Sequence, residues 1–264
     1  MRRLLTAGAH DQRAGDPLDE DLEAVYADVP PSGTEPWTAI SMVSSVDGAV
    51  SVDGTSGALG GAGDLAAFRA LRAAADVVLV GIGTVRAEDY GPVKVRPAAA
   101  AARRDRGQAE RPPIAVVTRS LDLGGSLRLF AADSPPPIMV TTVDAPTDAR
   151  ARLEELGATV IAAGEGSVDL RAALVALRER CGPRVLVEGG PRLNAELLAA
   201  GLVDELFLTL APTVAGGAAG RIVAATSQPG FPLDLELLAV RHHEGDLLLR
   251  YRVRGEGTDS MRED

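Results

Sequence analysis

A helix, a buried strand and a glycine turn follow one another in residues 64–84, DLAAFRALRAAADVVLVGIGT. Leu65, Phe68 and Leu71 recur at the spacing of one helix face. Residues 77–80 are four consecutive apolar residues, a pattern typical of a strand that is buried on both faces. Strands of this kind occur in parallel sheets that are covered by helices, so the segment predicts an α/β fold.

The same order of strand, turn and helix returns later in the chain. Residues 184–187 form a second apolar strand, which Glu188-Gly189-Gly190-Pro191 ends before another helix. The last clear strands, 204–210 and 247–253, have no helical pattern between them. The sequence therefore predicts a mixed, mainly parallel central sheet flanked by helices, with an antiparallel C-terminal edge.

We expect three parts along the chain. Residues 1–35 form an N-terminal arm, because prolines interrupt it, residues 36–254 form one domain, and residues 255–264 form a flexible tail. Residues 97–111 have no clear apolar face and are predicted to be an exposed excursion, in which Arg103 belongs to a solvated loop.

Composition excludes several classes of function. The chain has 264 residues and a formal net charge of −10, which argues against a nucleic-acid partner. It contains one cysteine, Cys181, and three histidines, too few for a zinc site of the usual spacing, and we expect no metal. No apolar run is long enough for a membrane span, so we expect a cytoplasmic protein without a membrane partner.

Both glycine turns are candidate sites for phosphate groups. Backbone N–H groups at the start of a helix bind phosphate oxygens, although glycines are also needed in many such turns for steric reasons alone. A third strand end, Thr118-Arg119-Ser120, offers two hydroxyls and a guanidinium. That combination suits the 2′-phosphate of NADPH, whereas NADH would call for a carboxylate.

Carboxylates lie at or beside these turns. Asp47, Asp64, Glu88, Asp89 and Glu188 could each orient a substrate or act as an acid. Asp64 has an alternative role as the N-cap of the helix that it precedes.

Several motifs resemble, in order, the reductase domain of the bacterial riboflavin biosynthesis deaminase/reductase family. They are Ser44-Ser45-Val46-Asp47-Gly48, residues 69–85, residues 185–193, residues 201–206 and Ala211-Pro212. The resemblance implies a dihydrofolate-reductase-like fold, NADPH as the cofactor, and a homodimer. It also implies reduction of a 5-phosphoribosylamino-pyrimidine to the ribitylamino-pyrimidine.

The resemblance, the two glycine turns and the carboxylates beside them give the predicted site residues, with Asp64 added because its helix resembles that of dihydrofolate reductase. Glu188, Glu88 and Asp64 are the predicted catalytic residues. The predicted cofactor-binding residues are Val43, Gly81, Gly83, Thr84, Val85, Glu88, Thr118, Arg119, Ser120, Gly189, Gly190, Pro191 and Arg192. The predicted substrate-binding residues are Ser56, Asp64, Arg72, Arg96 and Glu188.

The chain departs from the family pattern at three positions. Ser41 stands where the family usually has a lysine in the first strand, and the chain has a single lysine, Lys94. The usual aspartate after the glycine-threonine turn is Glu88, and the Asp-Pro or Asn-Pro that follows it is Asp89-Tyr90.

Two other interpretations remain. Asp64-Leu65-Ala66-Ala67-Phe68 resembles the helix of dihydrofolate reductase that binds the pterin, which implies a related NADPH-dependent reductase acting on dihydrofolate or another pterin-like substrate. A protein that binds a nucleotide without catalysis is the third hypothesis.

Overall fold

A computed structural model describes residues 2–6, 22–27, 35–125, 127–132, 134–224 and 230–254. The tail predicted over residues 255–264 lies outside the described residues. The helices are α1 (Leu22–Ala27), α2 (Ala62–Ala74), α3 (Ile82–Ala87), α4 (Pro97–Asp105), α5 (Thr147–Glu155), α6 (Leu170–Cys181) and α7 (Pro191–Ala199).

One ten-stranded sheet organises the chain. Its strands are β1 (Arg2–Thr6), β2 (Trp37–Ser45), β3 (Val77–Gly81), β4 (Ile114–Val117), β5 (Ile138–Thr141), β6 (Thr159–Ala162), β7 (Arg184–Val187), β8 (Glu205–Ala211), β9 (Leu235–His243) and β10 (Asp246–Val253). The strand order is β1-β9-β10-β8-β2-β7-β3-β4-β5-β6. The run from β8 to β6 is parallel, and β10, β9 and β1 add antiparallel pairs at one edge, which confirms the predicted mixed sheet.

Helices cover both faces of the central strands. On β3, Val78 and Val80 belong to the core beneath α1, α2 and α5, whereas Val77 and Leu79 belong to the core beneath α6 and α7. Successive side chains of a strand point to opposite faces, so a strand that has helices on both sides needs the unbroken apolar run seen in the sequence.

Two strands were not expected from the sequence. β1 pairs with β9, so the segment predicted as an arm supplies an edge strand to the sheet. β9 pairs with both β1 and β10.

The segment predicted as an exposed excursion contains α4, and the solvated position of Arg103 was wrong. Arg103 is completely buried and donates to the carbonyl oxygens of Ala73 at 2.9 Å, Ala75 at 2.6 Å and Ala109 at 2.7 Å. Ala73 and Ala75 lie at the end of α2, where carbonyl groups lack partners within the helix. Burial lowers the pKa of Arg103 to about 10, although Asp76 opposes this effect.

In the described part of the chain, no helix is both long and apolar enough to cross a bilayer. The same residues contain no group of histidine, cysteine or acidic side chains arranged to hold a metal ion.

Candidate active site

The two glycine turns meet at the edge of the sheet where the parallel strands end. The N–H of Gly81 donates to the carbonyl oxygen of Gly189 at 2.8 Å, and a Cβ on Gly81 would lie 3.2 Å from the nitrogen of Gly190. A Cβ on Gly190 would lie 2.8 Å from the hydroxyl oxygen of Thr84. The close approach of the β3 and β7 turns therefore requires glycine, whatever else these turns bind.

A cavity of about 820 Å³ opens beside these turns. It lies between the end of β2, the start of α2 and the segment that follows α3. All the predicted catalytic residues line it, as do the predicted substrate residues except Arg96. The predicted site residues on its wall are Val43, Ser56, Asp64, Arg72, Thr84, Glu88, Glu188, Gly190 and Pro191.

Arg72 and Glu188 form a buried bidentate ion pair in the wall of this cavity. Nε and Nη2 of Arg72 each donate to one oxygen of Glu188 at 2.6 Å. The Glu188 side chain is 2% exposed and the Arg72 side chain 13%. Parallel hydrogen bonds between charged groups fix both the position and the orientation of the two side chains.

Tyr90 completes this network, a role that no sequence pattern predicted. Its hydroxyl donates to Oε2 of Glu188 at 2.7 Å, so both carboxylate oxygens have partners. Burial and the charge of Glu188 raise the pKa of Tyr90 well above its ordinary value, which keeps the hydroxyl a donor. The guanidinium of Arg72 also lies 3.9 Å from the centroid of the Phe68 ring.

The network keeps Arg72 charged. Burial by itself lowers the pKa of Arg72, but the adjacent Glu188 offsets this and leaves the pKa above its ordinary value. The cavity wall therefore presents a charged guanidinium that Glu188 fixes in place and that is 13% exposed.

Glu88 holds the loop that precedes α2. Its Oε1 accepts the backbone N–H of Ser56 at 2.7 Å, and both residues line the cavity. The hydrogen bond therefore joins Glu88, which is predicted to bind the cofactor, to Ser56, which is predicted to bind the substrate.

Asp64 does not cap α2, and that alternative was wrong. The helix begins at Ala62 with Gly61 as its N-cap, so Asp64 lies in the first turn, where its backbone N–H donates to Oδ2 of Asp246 at 3.1 Å. The carboxyl group of Asp64 accepts a hydrogen bond from the hydroxyl of Thr209 on β8. Burial raises the pKa of Asp64, the Thr209 hydroxyl opposes this, and the charge of Asp246 raises it further.

The other predicted residues lie away from the wall of this cavity. They are Gly81, Gly83, Val85, Arg96, Thr118, Arg119, Ser120, Gly189 and Arg192. Val85 is a core residue with 0% exposure, so contact of its side chain with a cofactor is excluded by packing. The hydroxyl of Thr118 is buried and accepts the N–H of Leu121 at 3.0 Å, whereas Arg119 and Ser120 are exposed.

Cationic side chains surround the mouth of the cavity. Arg69, Lys94 and Arg128 line it, and Arg128 pairs with Asp89 at 2.9 Å. Arg96 lines an adjoining depression of about 240 Å³ that shares Arg69 and Lys94 with the main cavity. The signal that could have found Lys94 is its position two residues before Arg96, a predicted ligand of the substrate. In a chain of net charge −10, this cluster favours an anionic ligand.

Asp47 ties the turn after β2 to a glycine-rich loop. Its carboxylate accepts the Ser45 hydroxyl at 2.5 Å and the N–H groups of Ala215 at 3.0 Å and Gly216 at 2.8 Å. These three donors, Ser45 first, lower the pKa of Asp47 to about 2. Asp47 is therefore a structural anchor in this arrangement.

Comparison with known proteins relates the chain to pyrimidine reductases. Residues 36–249 match the family described as the RibD C-terminal domain. The 2,5-diamino-6-ribosylamino-4(3H)-pyrimidinone 5′-phosphate reductase of Methanothermobacter thermautotrophicus is 29% identical over 223 residues, which cover 83% of this chain and 99% of that protein.

Two solved structures share the fold. A pyrimidine reductase-like protein from Corynebacterium diphtheriae superposes with a TM-score of 0.81 and 27% identity, covering 90% of this chain and 100% of the other. The riboflavin biosynthesis reductase of Saccharomyces cerevisiae has a TM-score of 0.66 and 22% identity, covering 89% of this chain and 100% of its own.

Proposed function

Because the chain belongs to the RibD C-terminal domain family, we propose that it reduces a 5-phosphoribosylamino-pyrimidine to the ribitylamino-pyrimidine of riboflavin biosynthesis with NADPH. The observation that carries this proposal is that Arg72, Glu188, Glu88 and Asp64 line one and the same cavity, which Arg69, Lys94 and Arg128 also line. A phosphorylated, polar substrate needs both features: a charged entrance and fixed hydrogen-bonding groups within.

The sheet edge fits a phosphorylated dinucleotide. The ends of β7, β3 and β4 are adjacent in the sheet and carry Gly190, Thr84 and the exposed Arg119. Arg192 is exposed in the first turn of α7, which begins at Pro191. Arg119, Ser120 and Arg192 would hold phosphate groups, and Arg119 with Ser120 would distinguish NADPH from NADH. When bound, the nicotinamide supplies a hydride.

The protein side chains would mainly position the substrate. Glu188 has both oxygens occupied by Arg72 and Tyr90, so we assign it the role of fixing Arg72 instead of donating a proton. Arg72 would bind the substrate, and Lys94, Arg69 and Arg96 would attract its phosphate. Alignment of this kind accounts for much of the rate of a hydride transfer.

We further propose a homodimer. Leu208 pairs with Leu249, and Leu210 pairs with Leu247, on one face of β8 and β10. All four leucines keep part of their surface accessible in the monomer. Light scattering of the purified protein tests the proposal, and a monomer at micromolar concentration would contradict it.

A second candidate function is reduction of a pterin. Asp64 and Phe68 lie one helical turn apart on α2 and both line the cavity, and Thr209 donates to the Asp64 carboxyl group. A carboxyl group in this position suits the paired donors of a diaminopyrimidine ring.

Oxidation of NADPH tests both functions. The purified protein is mixed with NADPH and, separately, with the phosphoribosylamino-pyrimidine before deamination, the same compound after deamination, and dihydrofolate. We expect oxidation with a ribosyl substrate and loss of that activity in Arg96→Ala. Oxidation with dihydrofolate alone would show that the protein is a pterin reductase. If the protein binds NADPH but oxidises it with none of these compounds, the hypothesis of nucleotide binding without catalysis is favoured.

A further inference from the structure

The chain reverses at Asp89, directly after helix α3, and this turn brings Tyr90 to the cavity. Asp89 has a φ of 45°, in the left-handed region where glycine usually follows the end of a helix and aspartate is an occasional substitute. The N–H of Tyr90 donates to the carbonyl oxygen of Val85 at 3.1 Å, which closes the turn over the end of α3. Because this conformation is unfavourable for a residue with a side chain, contacts from the surrounding structure must hold it.

Arg128 supplies such contacts from the loop that follows β4. Its Nη1 donates to both the backbone carbonyl oxygen and Oδ2 of Asp89, each at 2.9 Å. A Cβ on Gly91 would lie 3.3 Å from Nη2 and 3.4 Å from Cζ and Nε of the same guanidinium. Arg128 therefore bonds to the residue before Tyr90 and packs against the residue after it.

The backbone of Arg128 is itself fixed. Arg128 begins a short 3₁₀ helix, Arg128–Phe130, and the next residue, Leu129, is buried in the core beneath α1, α2 and α5. The side chains of Arg128 and Asp89 are 60% and 58% exposed, so their ion pair by itself contributes little to stability. The contact matters because it holds a strained turn whose next residue lies in the cavity wall.

Tyr90 connects this turn to the buried ion pair of the site. Its hydroxyl donates to Oε2 of Glu188 at 2.7 Å, and Glu188 in turn holds Arg72. The centroid of the Tyr90 ring also lies 5.6 Å from Cζ of Arg72. A shift of the turn would therefore disturb both contacts that Tyr90 makes with the pair.

We propose that Arg128 is a positioning residue that holds the 89–91 turn in place. The turn keeps Tyr90 bonded to Glu188, and Glu188 keeps Arg72 oriented toward the substrate. This inference rests on the proposed reductase function, in which Arg72 binds the pyrimidine substrate. It gives one cation at the mouth of the cavity a role within the protein itself, distinct from attraction of an anionic ligand.

Asp89→Asn separates this role from direct binding of the substrate phosphate by Arg128. Asparagine also tolerates the left-handed region, so the substitution removes the charge that pairs with Arg128 without adding strain to the backbone. We expect the KM for the pyrimidine to rise about twofold, because the turn is held less firmly. If Arg128 bound the phosphate instead, loss of the negative charge beside it would strengthen that contact, and a lower KM would overturn the proposal.

A double-mutant cycle tests whether Arg128 acts through Tyr90. Arg128→Ala should raise the KM for the pyrimidine about threefold and leave kcat almost unchanged, because only substrate binding is weakened. In Tyr90→Phe, where the hydroxyl contact is already absent, the same substitution should change KM by less than about 1.5-fold. Additive effects of the two substitutions would overturn the proposal.

The matched control is Arg252→Ala. Arg252 pairs with Glu236 at 2.9 Å, its side chain is 55% exposed, and it lies outside the cavity wall. We expect no change in KM, since this pair resembles that of Arg128 in distance and exposure but does not touch the 89–91 turn.

Carbon-13 NMR of the free protein tests the same contact without turnover. The chain has three tyrosines, and with ¹³C at the ζ position the Tyr90 signal is the one that is absent from Tyr90→Phe. The ζ carbon bears the hydroxyl, so its chemical shift reports the hydrogen bond to Glu188. We expect this signal to move in Arg128→Ala and Asp89→Asn but not in Arg252→Ala, and an unchanged signal in both turn variants would overturn the proposal.

The NMR spectra separate this inference from the proposed function. If the wild type oxidises NADPH with none of the pyrimidines while the Tyr90 signal moves in Arg128→Ala, the proposed function fails and the hold of Arg128 on the turn is supported. If the wild type is active but neither the signal nor KM changes in Arg128→Ala, the inference alone fails.

Discussion

The guanidinium of Arg72 and the carboxylate of Glu188 face each other across two hydrogen bonds of 2.6 Å, with hardly any of the carboxylate in contact with solvent. Removing one partner of such a pair leaves a buried charge without compensation. Glu188→Gln is expected to lower the free energy of unfolding by about 3 kcal/mol, measured by urea denaturation. The control is Glu110→Gln, since Glu110 pairs with Arg104 in solvent. Equal effects of both substitutions would show that burial of the pair is unimportant.

Tyr90→Phe should lower stability by a smaller amount, about 1–2 kcal/mol, because Glu188 loses one of its donors but keeps Arg72. The expected kinetic effect is a higher KM for the pyrimidine, since Arg72 is held less firmly. Tyr251→Phe, on β10, is the control, and thermal unfolding with steady-state kinetics gives both readouts. An unchanged KM would show that the Tyr90 hydroxyl does not contribute to substrate binding.

Arg103→Ala should be among the most destabilising single substitutions outside the cavity. It removes the side-chain donor to the carbonyl oxygen of Ala75 and one of the two donors to that of Ala73, and we expect a loss of about 3 kcal/mol. Arg103→Lys should recover only part of the loss, because an ammonium group lacks the planar fork that reaches several carbonyl oxygens. The neighbouring Arg104→Ala, at an exposed site, serves as the control. If Arg103→Ala were as stable as Arg104→Ala, the carbonyl contacts would contribute nothing.

The contact between Asp47 and the glycine-rich loop should depend on pH in the acidic range. A carboxyl group whose pKa is lowered on folding stabilises the fold above the unfolded value, near 4, and this contribution disappears as the pH falls through the folded value of about 2. We expect the amide hydrogens of Ala215 and Gly216 to exchange faster below pH 4 after allowance for the intrinsic rate. Asp47→Asn should show faster exchange already at neutral pH, and Asp105→Asn should not.

Arg119→Ala is expected to weaken NADPH binding about tenfold and NADH binding little, because the guanidinium would contact a phosphate that NADH lacks. Nucleotide fluorescence titration measures both affinities. Arg150→Ala, an exposed pair with Glu154 on α5, is the control. An equal loss of affinity for NADPH and NADH would show that Arg119 does not contact the 2′-phosphate.

The sequence predicted the central sheet because its strands are buried on both faces, and that burial demands an unbroken apolar run such as 77–80. β1 carries two arginines in five residues and lies at an edge, so it shows no such run. Helix α4 buries an arginine and has no clear apolar face. Its sequence therefore lacks the hydrophobic periodicity from which a helix is predicted.

Within the site, the resemblance predicted that Arg72 and Glu188 bind the substrate, and both residues line the cavity. It gave no sign of Tyr90, because the family pattern has a proline near that position and Tyr90 acts through its hydroxyl. The hydrogen bond that the N–H of Asp64 donates to Asp246 lay beyond prediction for another reason: Asp246 follows Asp64 by 182 residues, and no local pattern joins them.

Because Asp246 follows Asp64 by 182 residues, the two residues are synthesised at different times. The ribosome makes α2 and all the residues of the cavity wall before β10, and until Asp246 is made the first turn of α2 lacks its partner. A nascent chain halted just before β10 would therefore contain every residue of the cavity wall, but the first turn of α2 would still lack the carboxylate that accepts the N–H of Asp64.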